Sequence, residues 1–486
     1  MNNILVYMLS LTLYTLFLLF WGKNGFKKTN TIRDFCVADN SLDIFTSIFT
    51  FTATWFSAVS MQSVTGYVYT YGYITILYSV IGWFLGASIL IFAANRIRQY
   101  DIMTIPEFFK VRYDSNILQI FGGVIIIACY IFYMIIQIVG FGFIVSELLD
   151  IHYNVAIFSI YLFIVYTSFG GLFSVSKTDI LNFTIVLLGL LVAATMIIKD
   201  IGSIQTMHLM AFEISDGSLL NLSSNPLFPP MTVFTLGLAW GLGTAANPQY
   251  LTRILSARNK KTAFHMISYS VIVMGVLYLF LMILGIGSRV IALGSDVIIP
   301  TNQVLPYIIK YIIDSPAGGL IFISVIASAI STANSQLILI ASSFTHDIYS
   351  KFKRPHLSND HFIYVARIII FISATMSLIL SINPPESLLL FGSYIWGIFA
   401  VTFLMPLYGG LYWQKATSQG ALWSILFGLL TMAIWYPLSQ KSNFLYSVHP
   451  VFPGFIMAMV SFFVVSLKTQ DKNTISKAMN GDAYEA

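Results

Sequence analysis

Long apolar stretches separated by short polar loops fill this 486-residue chain, and they constrain its fold more than any other feature. Hydrophobic residues make up 57% of the chain, charged residues only 9%, and the mean hydropathy is +0.81. A soluble domain cannot bury so much apolar surface, whereas a lipid bilayer accepts it along helices of about 20 residues. We therefore predict an all-α polytopic membrane protein with about 13 transmembrane helices. Their predicted bounds are 4–21, 43–70, 73–95, 117–148, 154–171, 177–198, 231–254, 262–291, 317–346, 362–382, 387–412, 419–437 and 450–467.

Basic residues are distributed unequally between the two sides of these segments. Only Lys199, Arg289, Lys310 and Lys441 fall in one set of loops, and the other 21 of the 25 Lys and Arg residues, Arg253 among them, fall in the opposite set. Cytoplasmic loops are enriched in Lys and Arg, so we predict that the N-terminus lies outside and the C-terminus in the cytoplasm, in the plasma (inner) membrane of the cell. The net charge of +5 then reflects topology, and we expect no nucleic-acid partner.

The polar segments are short, and the longest ones, 200–230 and 468–486, are too small for a catalytic or signalling module. The seven His residues are scattered, and the sequence contains no His-Glu-x-x-His or Gly-x-Ser-x-Gly motif. The two cysteines, Cys36 and Cys129, do not indicate a disulfide framework. We therefore expect neither an enzyme nor a sensor.

Two predicted spans have compositions that favour a break in the helix. The second span carries repeated hydroxyl, small and β-branched residues over 51–66, and the seventh carries two Gly and an interior Pro over 240–249. An unwound segment at bilayer depth is tolerated only where it lines a cavity or binds a ligand. These spans are the first and sixth of the ten that follow the N-terminal one, which predicts two inverted repeats of five helices. The predicted division is an N-terminal helix and loop 1–41, a first repeat 42–199, an extracellular loop 200–230, a second repeat 231–412 and two C-terminal helices with a tail 413–486.

Three hydroxyls within one apolar span indicate a polar partner at bilayer depth. Ser328, Ser331 and Thr332 are spaced i, i+3 and i+4, so they share one face of a helix. A dehydrated cation is one such partner. The alternative is that each hydroxyl bonds to a carbonyl one turn earlier on its own helix.

Four motifs in this order resemble the sodium:solute symporter family, which includes bacterial proline, pantothenate, sialic-acid and sugar carriers. They are Thr52-Ala53-Thr54-Trp55-Phe56-Ser57-Ala58, 166–171 (Tyr-Thr-Ser-Phe-Gly-Gly) followed by Thr178-Asp179, Asn247-Pro248-Gln249 with Arg253, and 329–336 (Ala-Ile-Ser-Thr-Ala-Asn-Ser-Gln). The resemblance runs from Asp34 to about Trp413 and implies the inverted-repeat fold of the bacterial leucine transporter. The local pattern over 52–66 is closest to the pantothenate and proline carriers.

The resemblance implies a site for Na⁺, the coupling ion, between the first and eighth core helices. The ligands carried over are the carbonyls of Ala53, Phe56 and Ser328 and the hydroxyls of Ser331 and Thr332. Oxygen ligands without full charge suit a monovalent cation. Some relatives place an Asp on core helix 5 near a second sodium position or an exit route, and Asp179 matches it. The alternative for Asp179 is a water-exposed residue at a cytoplasmic helix end.

The same resemblance places the substrate beside the sodium site, between the unwound parts of core helices 1 and 6. The candidate substrate-binding residues are Trp55, Ser57, Ser60, Gln62, Trp240, Asn247, Gln249, Tyr394 and Trp396. The second core span lacks the Glu that sugar carriers offer, which disfavours a hexose. The sequence also places no Arg or Lys at this depth, so a carboxylate would rely on helix N-termini and neutral donors. Proline carriers have an acidic residue where this chain has Thr54 and Trp55, which counts against proline itself.

The resemblance therefore implies Na⁺-coupled symport of a small organic solute, an organic acid or an amino-acid-like zwitterion, into the cell by alternating access. A proton-coupled carrier of the same fold is the alternative, with Asp179 as its titratable group. We expect a monomer to be sufficient for transport.

Overall fold

A computed structural model describes residues 3–26, 29–222, 228–292, 299–352 and 358–470, without the side chains of 21–26, and within these ranges the chain forms helices and no strand. The main helices are α1 (Asn3–Phe26), α2 (Ile44–Trp55), α3 (Val59–Tyr71), α4 (Ile76–Ile97), α5 (Asn116–Leu149), α6 (Tyr153–Ser168), α7 (Gly171–Ile201), α8 (Pro230–Ala246), α9 (Pro248–Ser256), α10 (Lys260–Ile291), α11 (Gly318–Phe352), α12 (Asn359–Leu380), α13 (Leu388–Tyr412), α14 (Ser418–Ser439) and α15 (Val451–Lys468). Short helices in the loops are Ile32–Val37, Ile105–Tyr113, Ile204–Ser215, Val304–Tyr307, Ile308–Ile313 and Asn443–Tyr446. The basic residues Lys27, Lys28, Lys353, Arg354, Lys472 and Lys477 and the tail 471–486 lie outside the described residues.

The prediction of a polytopic all-α membrane protein is confirmed. Among the described residues, ten helices are long and apolar enough to cross a membrane, and the bent pair α2 and α3 makes eleven. The helix α6 has 16 residues, and α8 and α9 have 17 and 9. The count of thirteen spans therefore stays a prediction, since it includes these shorter helices.

The first predicted break is confirmed between α2 and α3. Asp43 caps the N-terminus of α2, and the helix ends at Trp55, after which Phe56 adopts an extended conformation (φ −81°, ψ 99°). The chain resumes as a π-helix over Val59–Val64, and the axes of α2 and α3 differ by 58°. The last carbonyls of α2 therefore lack partners within their own helix and are available to a ligand.

The second predicted break is confirmed between α8 and α9. Asn247 is extended (φ −72°, ψ 121°), and Pro248 occupies the first turn of α9. Since proline has no backbone N–H and its ring excludes a continuing helix, Pro248 starts a new helix and does not extend α8. The Asn247 side chain caps α9 by accepting a hydrogen bond from the N–H of Gln249 at 2.9 Å.

Helix α11 forms the centre of the molecule. All of its most apolar 18-residue window is buried, against 17% for α1 and 28% for α14. It contacts α7, α5 and α12, and it packs against α2 where the latter ends. The helices α1, α14 and α15 lie at the periphery, with large apolar side chains such as Leu16 and Leu430 exposed where lipid would surround them.

Contacts between distant segments close the bundle at both ends of the broken spans. On one side, the Leu42 N–H donates to the Ser256 carbonyl at 3.1 Å, which joins the start of α2 to the end of α9. On the other, the Tyr67 hydroxyl lies 2.7 Å from that of Ser387, and α3 packs against the loop at Thr301. The breaks therefore lie in the interior of the protein.

Candidate functional site: the two helix breaks and the centre of helix α11

The hydroxyls of α11 meet the C-terminal end of α2. The Ser331 hydroxyl donates to the Ala53 carbonyl at 2.9 Å and to the Ser328 carbonyl at 3.1 Å. One residue further, the hydroxyl of Thr332 is buried and has no hydrogen-bond partner among the described residues. A buried oxygen without a partner is costly, and here it lies beside carbonyls at the negative end of a helix. These neutral oxygens fit a Na⁺ ion.

The Ser328 side chain follows the alternative prediction, a hydrogen bond to a carbonyl of its own helix. Its hydroxyl donates to the Val325 carbonyl of its own helix at 2.8 Å. Its carbonyl, by contrast, accepts the Ser331 hydroxyl and so remains beside the predicted sodium site. The side chain of Ser328 is therefore satisfied within α11, and only its carbonyl is a candidate ligand.

Arg253 corrects the prediction that no basic residue lies in this region. Its side chain is 1% exposed and not part of a cytoplasmic loop. It donates to three hydroxyls, those of Thr50 at 3.1 Å, Thr54 at 2.9 Å and Ser335 at 2.6 Å. Arg253 lies on helix α9, which begins directly after the second break, and its guanidinium lies between α2 and α11.

Asp179 is the acidic partner of Arg253, and its predicted alternative as a water-exposed residue is wrong. Its side chain is fully buried, and one oxygen lies 3.7 Å from the Arg253 guanidinium and accepts the Thr50 hydroxyl at 2.5 Å. The ion pair joins α7 to α9, with Thr50 of α2 bonded to both residues. The Ser335 hydroxyl, which accepts from Arg253, itself donates to the Ser331 carbonyl at 3.0 Å. The ion pair thus contacts the turn of α11 that follows Ser331.

The two breaks are joined by side chains of the second. Gln249 donates to the Thr54 carbonyl of α2 at 2.8 Å. Asn247 accepts the hydroxyl of Tyr130 at 2.6 Å, and the same hydroxyl accepts the N–H of Gln249 at 3.0 Å. Gln249 therefore contacts core helix 1 directly, whereas Asn247 contacts Tyr130 of α5.

Aromatic side chains from five helices gather at the level of the breaks. Trp240 lies between Trp83 and Trp396, with ring centroids 4.9 and 5.6 Å away. Trp396 packs on Tyr133 at 4.2 Å, and Trp83 stacks on Tyr278 at 5.5 Å. All five rings are at most 3% exposed. We call them the aromatic cluster.

The remaining predicted residues of the first break take different positions. Ser57, two residues after the end of α2, is buried with 3% exposure. Ser60 lies 3.1 Å from the Tyr278 hydroxyl, and Gln62 donates to the Gly140 carbonyl at 2.6 Å. Trp55 packs with Phe51, Phe84 and Tyr250 next to the cluster.

Tyr394 does not join the other candidates. Its ring packs against His449 at 4.7 Å and Tyr436 at 5.9 Å, on the side of the peripheral helices α14 and α15. Residues two apart on a helix point in different directions, so Tyr394 and Trp396 do not share a face. We exclude Tyr394 from the site.

Comparison with known proteins decides the family. The profile of the sodium:solute symporter family matches residues 35–428. The chain belongs to the sodium:solute symporter family. The symporter is 26% identical over 475 residues to the osmoregulated proline transporter OpuE of Bacillus subtilis, covering 95% of this chain and 94% of the relative. It is also 26% identical over 485 residues to sodium/proline symporter 2 of Staphylococcus saprophyticus, covering 94% and 92%.

A solved structure confirms the fold of the symporter. It is a Na⁺-coupled sialic acid symporter in a substrate-bound outward-open state, with 17% identity, a TM-score of 0.79 and coverage of 96% of this chain and 98% of the other. The symporter therefore has the predicted leucine-transporter-type fold of two inverted five-helix repeats. It is a secondary active transporter that couples movement of a small organic solute to Na⁺ across a membrane that it crosses several times, and it is not an enzyme.

Several side chains of the symporter site were not predicted from its sequence, among them Trp83, Tyr133, Gln137 and Tyr278. The amide of Gln137 accepts the Ala58 N–H at 3.2 Å, directly at the first break. Tyr133 and Gln137 are spaced i, i+4 in the very apolar helix α5, so they share one face of that helix. This polar pair in an apolar span would have indicated a site. Trp83 and Tyr278 carry no such signal, because aromatic residues are common in apolar spans.

Proposed function

We propose that the symporter carries a small zwitterion of the proline or amino-acid kind into the cell together with Na⁺ bound between α2 and α11. The observation that carries the proposal is the contact of Ser331 with the Ala53 carbonyl, beside the buried Thr332 hydroxyl. The proposed Na⁺ ligands are the carbonyls of Ala53, Phe56 and Ser328 and the hydroxyls of Ser331 and Thr332. Relatives named as proline transporters support a substrate of this size and charge.

The proposed substrate position lies between the breaks and the aromatic cluster. Among the described residues, four buried side-chain nitrogens there have no hydrogen-bond acceptor: Trp55 Nε1, Trp240 Nε1, Gln137 Nε2 and Asn247 Nδ2. Buried N–H groups favour a ligand that brings acceptor oxygens, and the N-terminus of α9 adds a positive potential. A carboxylate satisfies both requirements without a basic residue in direct contact.

Na⁺ binding supplies the driving force in this proposal. A Na⁺ ion entering at Thr332 joins α11 to the end of α2, which orders the outward-facing site, and substrate binding then closes the outer side. Moving one charge through 100 mV is worth about 2.3 kcal/mol, so each Na⁺ concentrates the solute by well over tenfold even without a concentration gradient.

We propose that the Arg253–Asp179 pair closes the cytoplasmic route from this site. The pair is buried and links α9 to α7, and the Thr50 and Ser335 hydroxyls bind it from α2 and α11. Asp179 then lies on the path by which Na⁺ leaves, either as an exit residue or as part of a second sodium position. We also propose that the symporter lies in the plasma membrane with its N-terminus outside. We propose the five-part division of the chain given above, with a monomer as the transporting unit.

Paired substitutions on α11 test the sodium site. In proteoliposomes, Thr332→Ala is expected to raise the Na⁺ concentration for half-maximal uptake at least tenfold, because a ligand is lost. Ser328→Ala is the control and is expected to leave it within about twofold, since that hydroxyl bonds only to its own helix.

An unchanged Na⁺ dependence in Thr332→Ala would overturn the site assignment. Uptake that persists without Na⁺ and collapses with a protonophore would instead favour proton coupling. Both variants are compared at equal amounts of folded protein, measured by size-exclusion chromatography.

A further inference from the structure

Two neighbouring residues near the end of α11 hold a short helix of the loop between α4 and α5. Thr104 caps this helix, Ile105–Tyr113, by accepting the N–H of Glu107 at 3.2 Å. Asp347 of α11 accepts the Thr104 hydroxyl at 2.6 Å, and the His346 ring lies 3.1 Å from the Glu107 carboxylate. Both α11 residues lie in a π-helical stretch, a geometry that is frequent at functional sites. We call Ile105–Tyr113 the loop helix.

The far end of the loop helix contacts the last turns of α13. Arg112 Nε donates to the Gly410 carbonyl at 2.7 Å, and the Tyr113 hydroxyl donates to the Pro406 carbonyl at 2.6 Å. Carbonyls near the C-terminus of a helix carry partial negative charge, so they suit these donors. The loop helix therefore bridges the ends of α11 and α13, on the side proposed to be cytoplasmic.

Asp347 is fully buried, and no Lys or Arg pairs with it. Among the described residues, none of the ion pairs includes Asp347, and the adjacent His346 is directed to Glu107. A buried carboxylate that lacks a cation bears the full cost of losing its hydration. The environment of Asp347 therefore suits a neutral group better than a charged one.

Gln119 of α5 indicates how Asp347 becomes neutral. Its amide nitrogen donates to one Asp347 oxygen at 2.8 Å. The other Asp347 oxygen and the Gln119 carbonyl oxygen are both buried, and neither has a hydrogen-bond partner within the described ranges. Two acceptors are thus left over on two groups that already share one hydrogen bond. A single proton on Asp347 satisfies both, because a protonated carboxyl donates one hydrogen bond and still accepts others.

We propose that Asp347 carries a proton while the loop helix is attached, and that release of this proton to water frees the loop helix and favours opening of the cytoplasmic side. Deprotonation leaves a buried charge beside an unpaired carbonyl oxygen, whereas detachment admits water to both groups. Attachment is therefore stable at low pH and is lost as the pH rises. A single proton changes the ratio of attached to detached protein by at most about tenfold per pH unit.

Other titratable groups lie close to Asp347, so a test has to separate them from it. They are Glu107 and Lys110 of the loop helix, His346 and Lys351 of α11, and the buried thiol of Cys36. Protonation of His346 would strengthen its contact with Glu107, so this pair responds to acid in the same direction. Substitution of Asp347 alone distinguishes the two responses.

Infrared spectroscopy of the full-length protein in detergent tests for the proton directly. At mildly acidic pH, where exposed carboxyls are already ionised, the natural protein is expected to show a carboxylic-acid C=O band that disappears as the pH rises. Asp347→Asn should lack this part of the band. Asp360→Asn is the matched control, because Asp360 is exposed at the start of α12, and it should retain the band. Equal bands in Asp347→Asn and the natural protein would overturn the inference.

Hydrogen exchange over 105–113 tests the consequence for the loop helix. In the natural protein, the protection factor is expected to fall by up to about tenfold per pH unit as Asp347 loses its proton. Asp347→Asn should stay protected at every pH, since Asn can donate to the Gln119 carbonyl as the acid does. Asp360→Asn should behave like the natural protein. Two results would overturn the inference: loss of protection in Asp347→Asn, or an unchanged pH dependence, which would assign the response to His346 and Glu107.

Gln119→Glu gives a second test that remains if Asp347→Asn fails to fold. It places two carboxyls in contact, and such a pair shares one proton because both cannot readily be ionised together. Protection of the loop helix should then persist to a pH about one unit higher than in the natural protein, and loss at the same or a lower pH would contradict the inference. Neither measurement uses a solute or Na⁺, so the inference can fail while the proposed function holds.

Discussion

Replacement of Arg253 by Gln should destabilise the symporter more than any exposed charge substitution. The guanidinium and the Asp179 carboxylate are at most 1% exposed and 3.7 Å apart. With an effective dielectric constant of about 20, their attraction is about 4.5 kcal/mol. Arg253→Gln removes this attraction and leaves Asp179 as a buried charge, so we expect a loss of about 3–5 kcal/mol in the free energy of unfolding.

The assay is unfolding in mixed detergent micelles, followed by tryptophan fluorescence, for Arg253→Gln, Asp179→Asn and the double variant. The double variant should lose less than the sum of the two single losses, because removing both charges leaves neither one buried alone. The matched control is Lys310→Gln, which breaks an ion pair with Glu147 at 2.7 Å whose side chains are 35% and 46% exposed. We expect that substitution to cost less than about 1 kcal/mol.

Two results would refute this reasoning. One is a loss for Arg253→Gln no larger than that for Lys310→Gln. The other is strict additivity of the two single substitutions, which would show that Arg253 and Asp179 do not interact. The proposed role in cytoplasmic closure adds a functional readout, since Arg253→Gln should also speed loss of preloaded solute from proteoliposomes.

Two further substitutions probe the contacts around the site. Gln249→Leu leaves the Thr54 carbonyl without its donor, so a loss of about 1–3 kcal/mol and a weaker apparent Na⁺ affinity are expected, read by unfolding and by uptake at varied Na⁺. Gly66→Ala places a methyl group against the backbone carbonyl of Thr301. This overpacking is expected to cost about 1–3 kcal/mol and to separate α3 from the loop at Thr301. Hydrogen exchange over 301–313 should then increase, whereas Gly275→Ala, where the nearest atom is 4.0 Å away, should leave it unchanged.

The sequence was sufficient to predict both helix breaks and their relation. Gly, Pro and hydroxyl residues act locally, and Pro248 lacks the N–H that would continue α8. The contact between α2 and α11 was predicted only through the family resemblance, because Ala53 and Ser331 are far apart in the chain. The structure then brought them to 2.9 Å.

The position of Arg253 could not be predicted from the distribution of charges. A basic residue at the end of an apolar span usually lies in water, and its four polar partners come from α2, α7 and α11. Only the packing of these helices determines that they meet. The position of Tyr394, by contrast, could have been predicted from the sequence. It lies two residues from Trp396 on the same helix, and this spacing excludes a common face.

Thr54 connects the proposed sodium site to the cytoplasmic closure. Its neighbour Ala53 offers the carbonyl that Ser331 contacts, while its own carbonyl accepts from Gln249 and its hydroxyl from Arg253. Coupling between two sites requires contacts that differ between two states, and a displacement of α2 relative to both α11 and α9 alters all three of these contacts together. Loss of Na⁺ from the Ser331 side would therefore weaken the hold of α9 on α2, and with it the Arg253 contacts. In this arrangement, release of the ion and opening of the cytoplasmic side are one event at the end of α2.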